Sequence, residues 1–457
     1  MKIESVPVLG LDVSKHNVTC CVLDKYPPGG LAKYWKATRR NAVGHYPIFY
    51  SSPKGNRKSA FDFADWVRGV KPGMACMEPT GNHYSKLWNA ILTSLGIPVL
   101  WVGHIELKRY REGKNLPGKG KNDAVDALAM AAYPHDSEHH LDNGELDLRS
   151  FLMHQPNTIN HIRELCQQLN HLARIQSPVI NYLRQALAWQ FPEAAHVKTK
   201  PNKSYASPLY GWLANKPEAI SKVGWTRTNN RYQKSIAPTL GIEISDYVRL
   251  HGKWMVDIQT TEREIDGHLK ELVWRQEFQP DNQIFDKFGF GLRIRARLLS
   301  RIYPFESFLL PNGKVWIEHE HREIKKVERE FKDGQSSVKF RPGDIKRIKR
   351  NRSRDIFKMR LGMGTVLEAS GDSWIEGAAG SSVCRQSLWQ HVLVGVETGK
   401  LPETEQTSQL IDYCYHLKSQ SDRSGKPLLH GKHVQGKLMA KLTNCLFKEL
   451  VKTFVQT

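Results

Sequence analysis

The chain has 457 residues, of which 67 are Lys or Arg and 46 are Asp or Glu, giving a formal net charge of +21. Ordinary domains contain about 100 to 200 residues, so this length argues against a single compact core and predicts several domains. A positive charge of this size attracts polyanions and makes nucleic acid the leading partner, although some membrane-surface proteins share the bias.

The cysteines and the apolar residues indicate a reducing compartment and no membrane segment. The seven cysteines are scattered and form no C-x-x-C pair that could clamp zinc. The N-terminus lacks a continuous apolar signal region, and no run of about 18 apolar residues occurs in the sequence. We therefore expect a soluble, unprocessed, cytoplasmic protein with no membrane partner.

The first part of the chain has the pattern of an α/β layer. Residues 6 to 24 predict two strands joined in an antiparallel hairpin, with Asp12 inside the first strand. A short apolar run then ends at Glu78 and is followed by a predicted helix at about 83 to 95. Another apolar run, at 97 to 103, completes a β-α-β order, which predicts a layered α/β domain.

Four carboxylates in this region could converge. A carboxylate inside a strand, such as Asp12, is costly to bury unless a metal or hydrogen bonds compensate it. Residues 121 to 133 predict a helix, and Asp123 and Asp126 lie in its first turn on one face. Glu78 follows an apolar run, where α/β folds gather their sites. Such carboxylates suit Mg²⁺, which prefers oxygen ligands and assists phosphoryl transfer.

Each of these acidic residues also has a simpler structural interpretation. Asp123 and Asp126 are favourable charges at a helix N-terminus, where the helix dipole stabilises them. Glu78 could be a turn residue, and Asp12 a polar residue that an edge strand tolerates. Taken singly these interpretations are the more common ones, but four such residues together make coincidence less credible.

The middle of the chain predicts a long helical arm. Residues 157 to 190 repeat apolar side chains at three- and four-residue spacing until Pro178, where we expect the helix to break. Residues 253 to 274 repeat in heptads, with Glu262 as the only charged residue in the seam. We expect the two to form an antiparallel coiled-coil arm or an oligomer interface. Residues 193 to 248 between them have no sustained period and read as an insertion without an assigned role.

A histidine-bearing stretch precedes the arm. His135, His139 and His140 lie close together in the sequence and could bind a metal. The surrounding residues are polar, however, so we favour a solvated linker at this place.

The short sequence motifs around the acidic residues resemble those of a known family. The contexts are G-x-D-V-S-K at Asp12, M-E-P-T-G-x-x-Y at Glu78, and K-x-D-A-x-D-A at Asp123 and Asp126. In this order, over about residues 6 to 133, they resemble the N-terminal domain of the DEDD transposases of the insertion sequence 110 family, which includes the Piv and MooV recombinases. The resemblance implies a domain similar to RuvC and ribonuclease H, in which the four matching residues bind Mg²⁺, with Mn²⁺ as a substitute.

The same family carries a serine in a short S-G motif of its C-terminal domain. The best match here is EASG at 368 to 371, followed by GSSVCRQSLW at 380 to 389. The resemblance implies that Ser370 is a nucleophile that attacks a DNA phosphodiester, with Arg385 on the helix that follows. Ser373 is the next candidate nucleophile, and the structural alternative makes Ser370 a turn residue.

Basic residues supply candidate nucleic-acid contacts. A dense run near the middle of the C-terminal region could neutralise several phosphates, although such runs are often solvated loops. Loop lysines just before Asp123 could meet phosphates near the metal. The candidates are Lys346, Arg347, Lys349, Arg350, Arg352 and Arg354 in the run, Lys114, Lys119 and Lys121 in the loop, and Arg385.

The sequence thus predicts an α/β plus α-helical protein with three parts. These are a RuvC-like, ribonuclease-H-like catalytic domain at 1 to 150, a long coiled-coil arm at 151 to 280, and a small, mostly helical serine transposase domain at 281 to 457 with a basic insertion at about 311 to 355. The expected activity is excision and insertion of a mobile element. The alternatives are a junction nuclease that uses water, and a decayed copy that only binds nucleic acid.

The expected partners follow from the same resemblance. They are the DNA of the element ends and target, a structured noncoding RNA that bridges them by base pairing, and further copies of this chain in a dimer or tetramer. The protein would then lie in a prokaryotic cytoplasm, associated with the nucleoid.

Overall fold

The computed structural model describes residues 6–79, 83–117, 122–147, 150–152, 157–324, 327–332, 335–341, 343–370, 373–421 and 427–455. Within these ranges only the backbone is described at 42–43, 328–332, 335–340, 366–370 and 373–376. The chain divides into two compact units, Met1–His154 and Gln155–Thr457. Helices predominate and strands form smaller sheets, so the protein is of mixed α/β class. Within the ranges above, no helix is both long and apolar enough to cross a membrane.

The first unit contains a mixed five-stranded sheet. Its strands are β1 (Val8–Val13), β2 (Asn17–Leu23), β3 (Ile48–Tyr50), β4 (Met74–Met77) and β5 (Val99–Trp101), in the order β3-β2-β1-β4-β5. Strands β1 and β2 pair antiparallel, which confirms the predicted hairpin and the position of Asp12 within its first strand. Strands β1, β4 and β5 run parallel, so their carboxyl ends meet at one edge.

Helices connect and cover this sheet. They are α1 (Leu31–Thr38), α2 (Ala42–His45), α3 (Ala60–Val70), α4 (Tyr84–Ser94), α5 (His104–Gly113) and α6 (Asp123–Ala132). Helix α6 is rich in alanine, which favours helix and allows close approach, and its residues from Ala127 to Ala132 are buried. At Gly10 of β1 an added Cβ would lie 2.1 Å from the carbonyl oxygen of Ala127. Helix α6 therefore rests directly on the central strand.

The histidine-bearing stretch after α6 is not a solvated linker, and that prediction is wrong. Residues 133 to 139 form short 3-10 helical turns. The ring of His139 stacks on Tyr133 at 3.8 Å, His135 shares a 2.9 Å hydrogen bond with the carbonyl of Leu23, and His140 shares one of 2.8 Å with the carbonyl of Pro134. These contacts tie the stretch to the core of the first unit.

The second unit begins with a helical arm. Its helices are α7 (Asn157–Gln190), α8 (Pro192–Ala195), α9 (Pro208–Leu213), α10 (Lys222–Gln233), α11 (Ile236–Thr239) and α12 (Asp246–Val273). Helices α7 and α12 pair antiparallel, since the amide of Gln176 donates to Glu262 at 2.6 Å and the amide of Gln190 donates to Ser245 at 3.2 Å. The predicted antiparallel pairing of the two arm helices is confirmed.

The predicted break at Pro178 is wrong. Helix α7 runs through this proline without ending. Apolar residues pack in the arm on both sides of it, Leu169 in one core cluster with Leu269 and Leu183 in another with Met255. Burial on both sides therefore outweighs the hydrogen bond and the space that a proline costs inside a helix.

The remainder of the second unit mixes helices with small ribbons. The elements are α13 (Gln279–Lys287), α14 (Leu292–Ile302), β6 (Ile317–Glu323), β7 (Glu328–Lys332), β8 (Gln335–Phe340), β9 (Ile345–Asn351), α15 (Arg352–Arg360), β10 (Gly364–Ser370), β11 (Ser373–Ala379), α16 (Ser382–His391), α17 (Glu405–Ser419) and α18 (Gly431–Phe454). Strands pair antiparallel as β6 with β9, β7 with β8 and β10 with β11. Buried aromatic residues such as Phe285, Phe305 and Phe357 hold the helices of this region together.

A buried carboxyl in α13 makes stability depend on pH. Asp281 is 1% exposed, and burial raises its pKa from 3.8 to about 7. The folded state then binds a proton that the unfolded state releases at lower pH, so stability falls as pH rises from about 4 to 7. We expect Asp281→Asn to raise the unfolding temperature at pH 8 and to raise it by clearly less at pH 5, where only part of this loss has occurred.

Thermal unfolding of the wild type and the variant at both pH values measures this effect. Each kcal/mol shifts the midpoint of a domain of this size by about 2 to 4 °C. The matched control is Asp412→Asn, because Asp412 is exposed on α17. An equal gain at pH 5 and pH 8 would contradict titration of Asp281 as the cause.

Candidate active site

The sheet brings Asp12 and Glu78 side by side. In the parallel pairing of β1 with β4, Leu11 lies opposite Met77, and Asp12 and Glu78 are the next residue along each chain. Side chains alternate between the two faces of a strand, so Asp12 points to the same face as Gly10, which α6 covers. Both carboxylates therefore lie at the carboxyl edge of the parallel strands, on the face covered by this helix.

Helix α6 adds the other two carboxylates. It begins next to Asn122, whose side chain accepts hydrogen bonds of 3.2 Å from the amides of Ala124 and Val125. This N-cap fixes Asp123 and Asp126 in the first turn, because the helix must start there. The charge of Asp126 contributes to raising the pKa of Glu78, so the helix brings these two carboxylates within electrostatic reach.

Basic side chains from α5 meet two of the acidic residues. The Nδ1 atom of His104 lies 2.5 Å from Glu78, and Arg111 forms an ion pair with Asp126. Burial raises the pKa of Glu78, Asp126 raises it further, and His104 and Arg111 act against both. Glu78 is 17% exposed and Asp126 is 13% exposed, so these charges interact in partly dry surroundings.

Sequence reasoning missed these two partners. His104 and Arg111 are seven residues apart, which places them on one face of α5 two turns apart. That spacing was the available signal, but surface helices carry many such pairs. Only the packing of α5 beside α6 shows which carboxylates they meet.

The donor set suits Mg²⁺ in its chemistry. Asp12, Glu78, Asp123 and Asp126 offer only carboxylate oxygens, the ligands that a hard cation prefers. Asp12 is 7% exposed, so a cation there would compensate a buried charge. Among the residues that the structure describes, no three His, Cys, Asp or Glu side chains already converge as a metal-binding group. The chemistry of these residues fits the ion, and in this structure Glu78 and Asp126 contact His104 and Arg111.

A groove opens beside Asp123. Its volume is about 560 Å³, and its walls include Tyr50, Arg57, Lys58 and Asn122. The guanidinium of Arg57 lies 4.8 Å from the centre of the Tyr50 ring, and the ammonium of Lys58 lies 5.8 Å from the ring of Phe49. Phe49 is buried, but a half-buried ring such as Tyr50 beside a cation can bind a base and its phosphate together. Sequence reasoning did not single out any of these groove residues.

The predicted loop lysines have different surroundings. Lys114 lies 2.8 Å from Asp136 and 2.9 Å from Glu138, so two carboxylates of its own unit hold its charge. A phosphate at Lys114 would compete with these ion pairs. Lys119 and Lys121 lie outside the described residues, and their role stays a prediction.

The predicted basic run forms strand β9 and the start of α15 rather than an irregular loop. Arg350, Arg352 and Arg354 pair with carboxylates: Arg350 with Glu320 and Asp355, Arg352 with Glu318 and Glu320, and Arg354 with Asp355. Arg347 and Lys349 are exposed, opposite His321 and His319 of β6. Lys346 lies opposite Arg322. Arg347 and Lys349 therefore share one face of this ribbon, with Glu323 at its end, and Glu318 and Glu320 lie on the other face.

The predicted nucleophile lies on a hairpin. Ser370 is the last residue of β10, and the backbone register places it opposite Ser373 of β11. Two glycines stand at the base of this hairpin, Gly362 with φ 80° and Gly380 with φ 89°. An added Cβ on Gly380 would lie 1.7 Å from the carbonyl oxygen of Met359. The hairpin therefore leaves α15 and enters α16 through turns that require glycine.

Arg385 supports the base of that hairpin. It lies on α16 and donates through Nη1 to the carbonyl oxygen of Gly362 at 3.0 Å. The helix itself is capped by Ser381, whose hydroxyl accepts from the amide of Cys384 at 3.2 Å. The structure thus gives Arg385 an intramolecular contact, and its predicted contact with nucleic acid stays a prediction.

Comparison with known proteins does not add to this geometry. No protein-family model and no curated protein matches the chain. The function must therefore be inferred from the residues and their arrangement.

Proposed function

We propose that the chain is a Mg²⁺-dependent DNA recombinase that excises and inserts a mobile element, as its motifs imply by resemblance to the DEDD transposases. The observation that carries the proposal is that the sheet places Asp12 beside Glu78 on the face that α6 covers, and that α6 brings Asp126 within electrostatic reach of Glu78. A RuvC-like, ribonuclease-H-like assignment of the first unit rests on this same arrangement. The net charge of +21 supports nucleic acid as the substrate.

The residues of the first unit have distinct roles in this proposal. Asp12, Glu78, Asp123 and Asp126 hold Mg²⁺, which when bound polarises the phosphodiester and offsets the charge that develops on its oxygens. Before substrate binds, His104 and Arg111 limit the repulsion among these carboxylates. The groove with Arg57 and Lys58 binds the nucleotide next to the reacting phosphate, since it opens beside Asp123.

Ser370 supplies the covalent step. Its Oγ forms a bond to phosphorus, and the bond from phosphorus to the leaving sugar oxygen breaks. The hydroxyl proton passes to a base, and the leaving oxygen takes up a proton. The phosphodiester energy is kept in a phosphoserine bond, so that a second sugar hydroxyl can displace the serine and rejoin the strands.

The partners of the proposed reaction are DNA, a structured noncoding RNA and further copies of the chain. The exposed face of the β6–β9 ribbon, with Arg347 and Lys349, offers a surface for a phosphate backbone. The antiparallel arm of α7 and α12 offers a surface for assembly into dimers or tetramers.

A denaturing gel tests the covalent step. Purified full-length protein is incubated with Mg²⁺, the RNA transcribed beside its gene and labelled DNA that carries the element junction. We expect a covalent protein–DNA adduct in the wild type and none in Ser370→Ala. The matched control is Ser373→Ala, which removes the same hydroxyl from the opposite position of the hairpin.

The outcomes separate the proposal from its alternatives. Loss of the adduct in Ser373→Ala alone would transfer the nucleophilic role to Ser373. Cleavage without any adduct, unchanged in both variants, would indicate a nuclease that activates water with the same acidic residues. Binding of DNA without cleavage under any condition would leave a nucleic-acid-binding protein.

A further inference from the structure

The segment between the two arm helices folds into a compact cap. We call residues 192–245 the arm cap; they contain α8, α9, α10 and α11. Their core includes Trp212, Leu213 and Ile220, and it continues into Leu183 and Val248 of the arm. This sequence of low periodicity is therefore an ordered body, and an ordered insertion with no part in the proposed chemistry calls for a role of its own.

Two adjoining concavities lie in the arm cap, and one of them extends to α7. Each has a volume of about 260 Å³, and both are walled by Ala194, Leu209 and the strap from Val197 to Lys200. Cations line them from three separate segments of the chain. These cations are Arg184 from α7, Lys198 and Lys200 from the strap, and Arg227 and Arg231 from α10.

The lining has one sign of charge. None of the residues that wall the two concavities is an aspartate or a glutamate. The nearby carboxylate of Glu193 is occupied, because it accepts from the hydroxyl of Ser235 at 2.5 Å and from the amide of Ile236 at 3.3 Å. Lys216, outside the lining, has an ion pair with Asp257 at 2.9 Å. The concave surface is therefore positively charged, whereas a cation elsewhere in the arm cap, Lys216, is neutralised by a carboxylate.

The arrangement of these cations opposes the stability of the cap. Arg227 and Arg231 are four residues apart on α10, and like charges at this spacing destabilise a helix. Lys198 and Lys200 add to the repulsion from the strap across the concavity. All five cations have exposed side chains, so they remain accessible to a large ligand. An anion bound between α10 and the strap would turn this repulsion into attraction.

We propose that this face of the arm cap binds the phosphodiester backbone of a nucleic acid. Two joined open concavities with cations on three sides suit a chain of phosphates better than one small anion, and Arg forks bind phosphate oxygens in pairs. Such contacts carry no base specificity, so the cap would hold a strand in register and leave sequence recognition to other parts. The inference does not depend on the acidic residues or on Ser370.

Binding by the full-length protein tests this inference. The variant Arg227→Ala/Arg231→Ala removes both guanidinium groups from α10, and alanine favours helix at these exposed positions. The matched control is Lys222→Ala/Lys234→Ala, which removes two exposed cations at the two ends of the same helix but outside the lining. The probes are a labelled RNA hairpin and a labelled DNA duplex of equal length and unrelated sequence, in salt from about 50 to 200 mM.

We expect the first variant to bind roughly 10-fold more weakly at low salt. Its affinity should also depend less on salt, since the plot of log affinity against log salt becomes shallower by about 0.9 for each lost phosphate contact. The control should bind like the wild type, and neither variant should unfold below the wild-type temperature, since the first variant relieves the repulsion on α10. Loss confined to the hairpin identifies RNA as the ligand, and loss confined to the duplex identifies DNA.

Equal affinity and slope for the first variant and the wild type on both probes would overturn the inference. Equal weakening by the control would also overturn it, since the effect would then be one of net charge. Hydrogen exchange gives a second readout, because bound nucleic acid should protect the strap and α10. Neither outcome bears on strand cleavage, so failure here is distinct from failure of the proposed function.

Discussion

Asp12→Asn is expected to lower Mg²⁺-dependent strand cleavage by roughly 1000-fold, equivalent to about 4 kcal/mol of activation free energy. Asparagine keeps the shape of the side chain and removes its charge, so the buried position within β1 is retained. The loss follows because a neutral amide oxygen is a weaker ligand for a hard cation than a carboxylate. Cleavage of labelled junction DNA, with Mn²⁺ affinity measured separately, tests both parts of this explanation.

The matched control for this prediction is Asp24→Asn. Asp24 is exposed and follows β2 at the opposite end of the sheet, because β2 runs antiparallel to β1. It should cleave like the wild type. Asp123→Ala should lose cleavage in the same way as Asp12→Asn and keep its salt-sensitive binding of DNA. If Asp12→Asn cleaves at the wild-type rate, the acidic cluster is not the metal site.

Short elements with strong periodicity were predictable from the sequence. The hairpin of β1 and β2, the strand before Glu78 and the helix that carries Asp123 and Asp126 all follow from local patterns. These patterns are local because alternation and helix capping act over a few residues. Asp12 could therefore be assigned to a strand, Glu78 to a strand end, and Asp123 and Asp126 to the start of a helix from the sequence alone.

What the sequence could not predict depends on distant contacts. His104 contacts Glu78 and Arg111 contacts Asp126 only because α5 packs beside α6. Much of the basic run forms a strand that pairs with the distant strand β6, whose Glu318 lies opposite Arg350. Helix α7 continues through Pro178 because α12 packs along it. In each case tertiary packing outweighs a local preference.

The geometry of the acidic site depends on how closely α6 approaches β1. Two of the four carboxylates belong to the helix and two to the sheet, and the charge of Asp126 on the helix helps to raise the pKa of Glu78. The contact at Gly10 holds these pairs together, since no side chain separates the helix backbone from the strand. Stability and activity of the first unit should therefore respond to the same glycine.

We expect Gly10→Ala to destabilise the first unit by about 3 kcal/mol or more, since overpacking against side chains costs about 1 to 3 kcal/mol and here the obstacle is backbone. The new Cβ would lie 2.1 Å from the carbonyl oxygen of Ala127 and 2.3 Å from the amide nitrogen of Ala131, atoms that move only if the whole helix moves. Hydrogen exchange at β1 and α6 under increasing urea measures the change.

The control Gly69→Ala adds the same methyl group to the exposed face of α3, where no atom outside this helix lies within 4 Å, and should gain about 0.5 to 1 kcal/mol of stability. Because displacing α6 separates Asp123 and Asp126 from Asp12 and Glu78, cleavage should be lost under conditions where Gly10→Ala is still folded. Full cleavage by a folded Gly10→Ala protein would show that the site does not need this close approach.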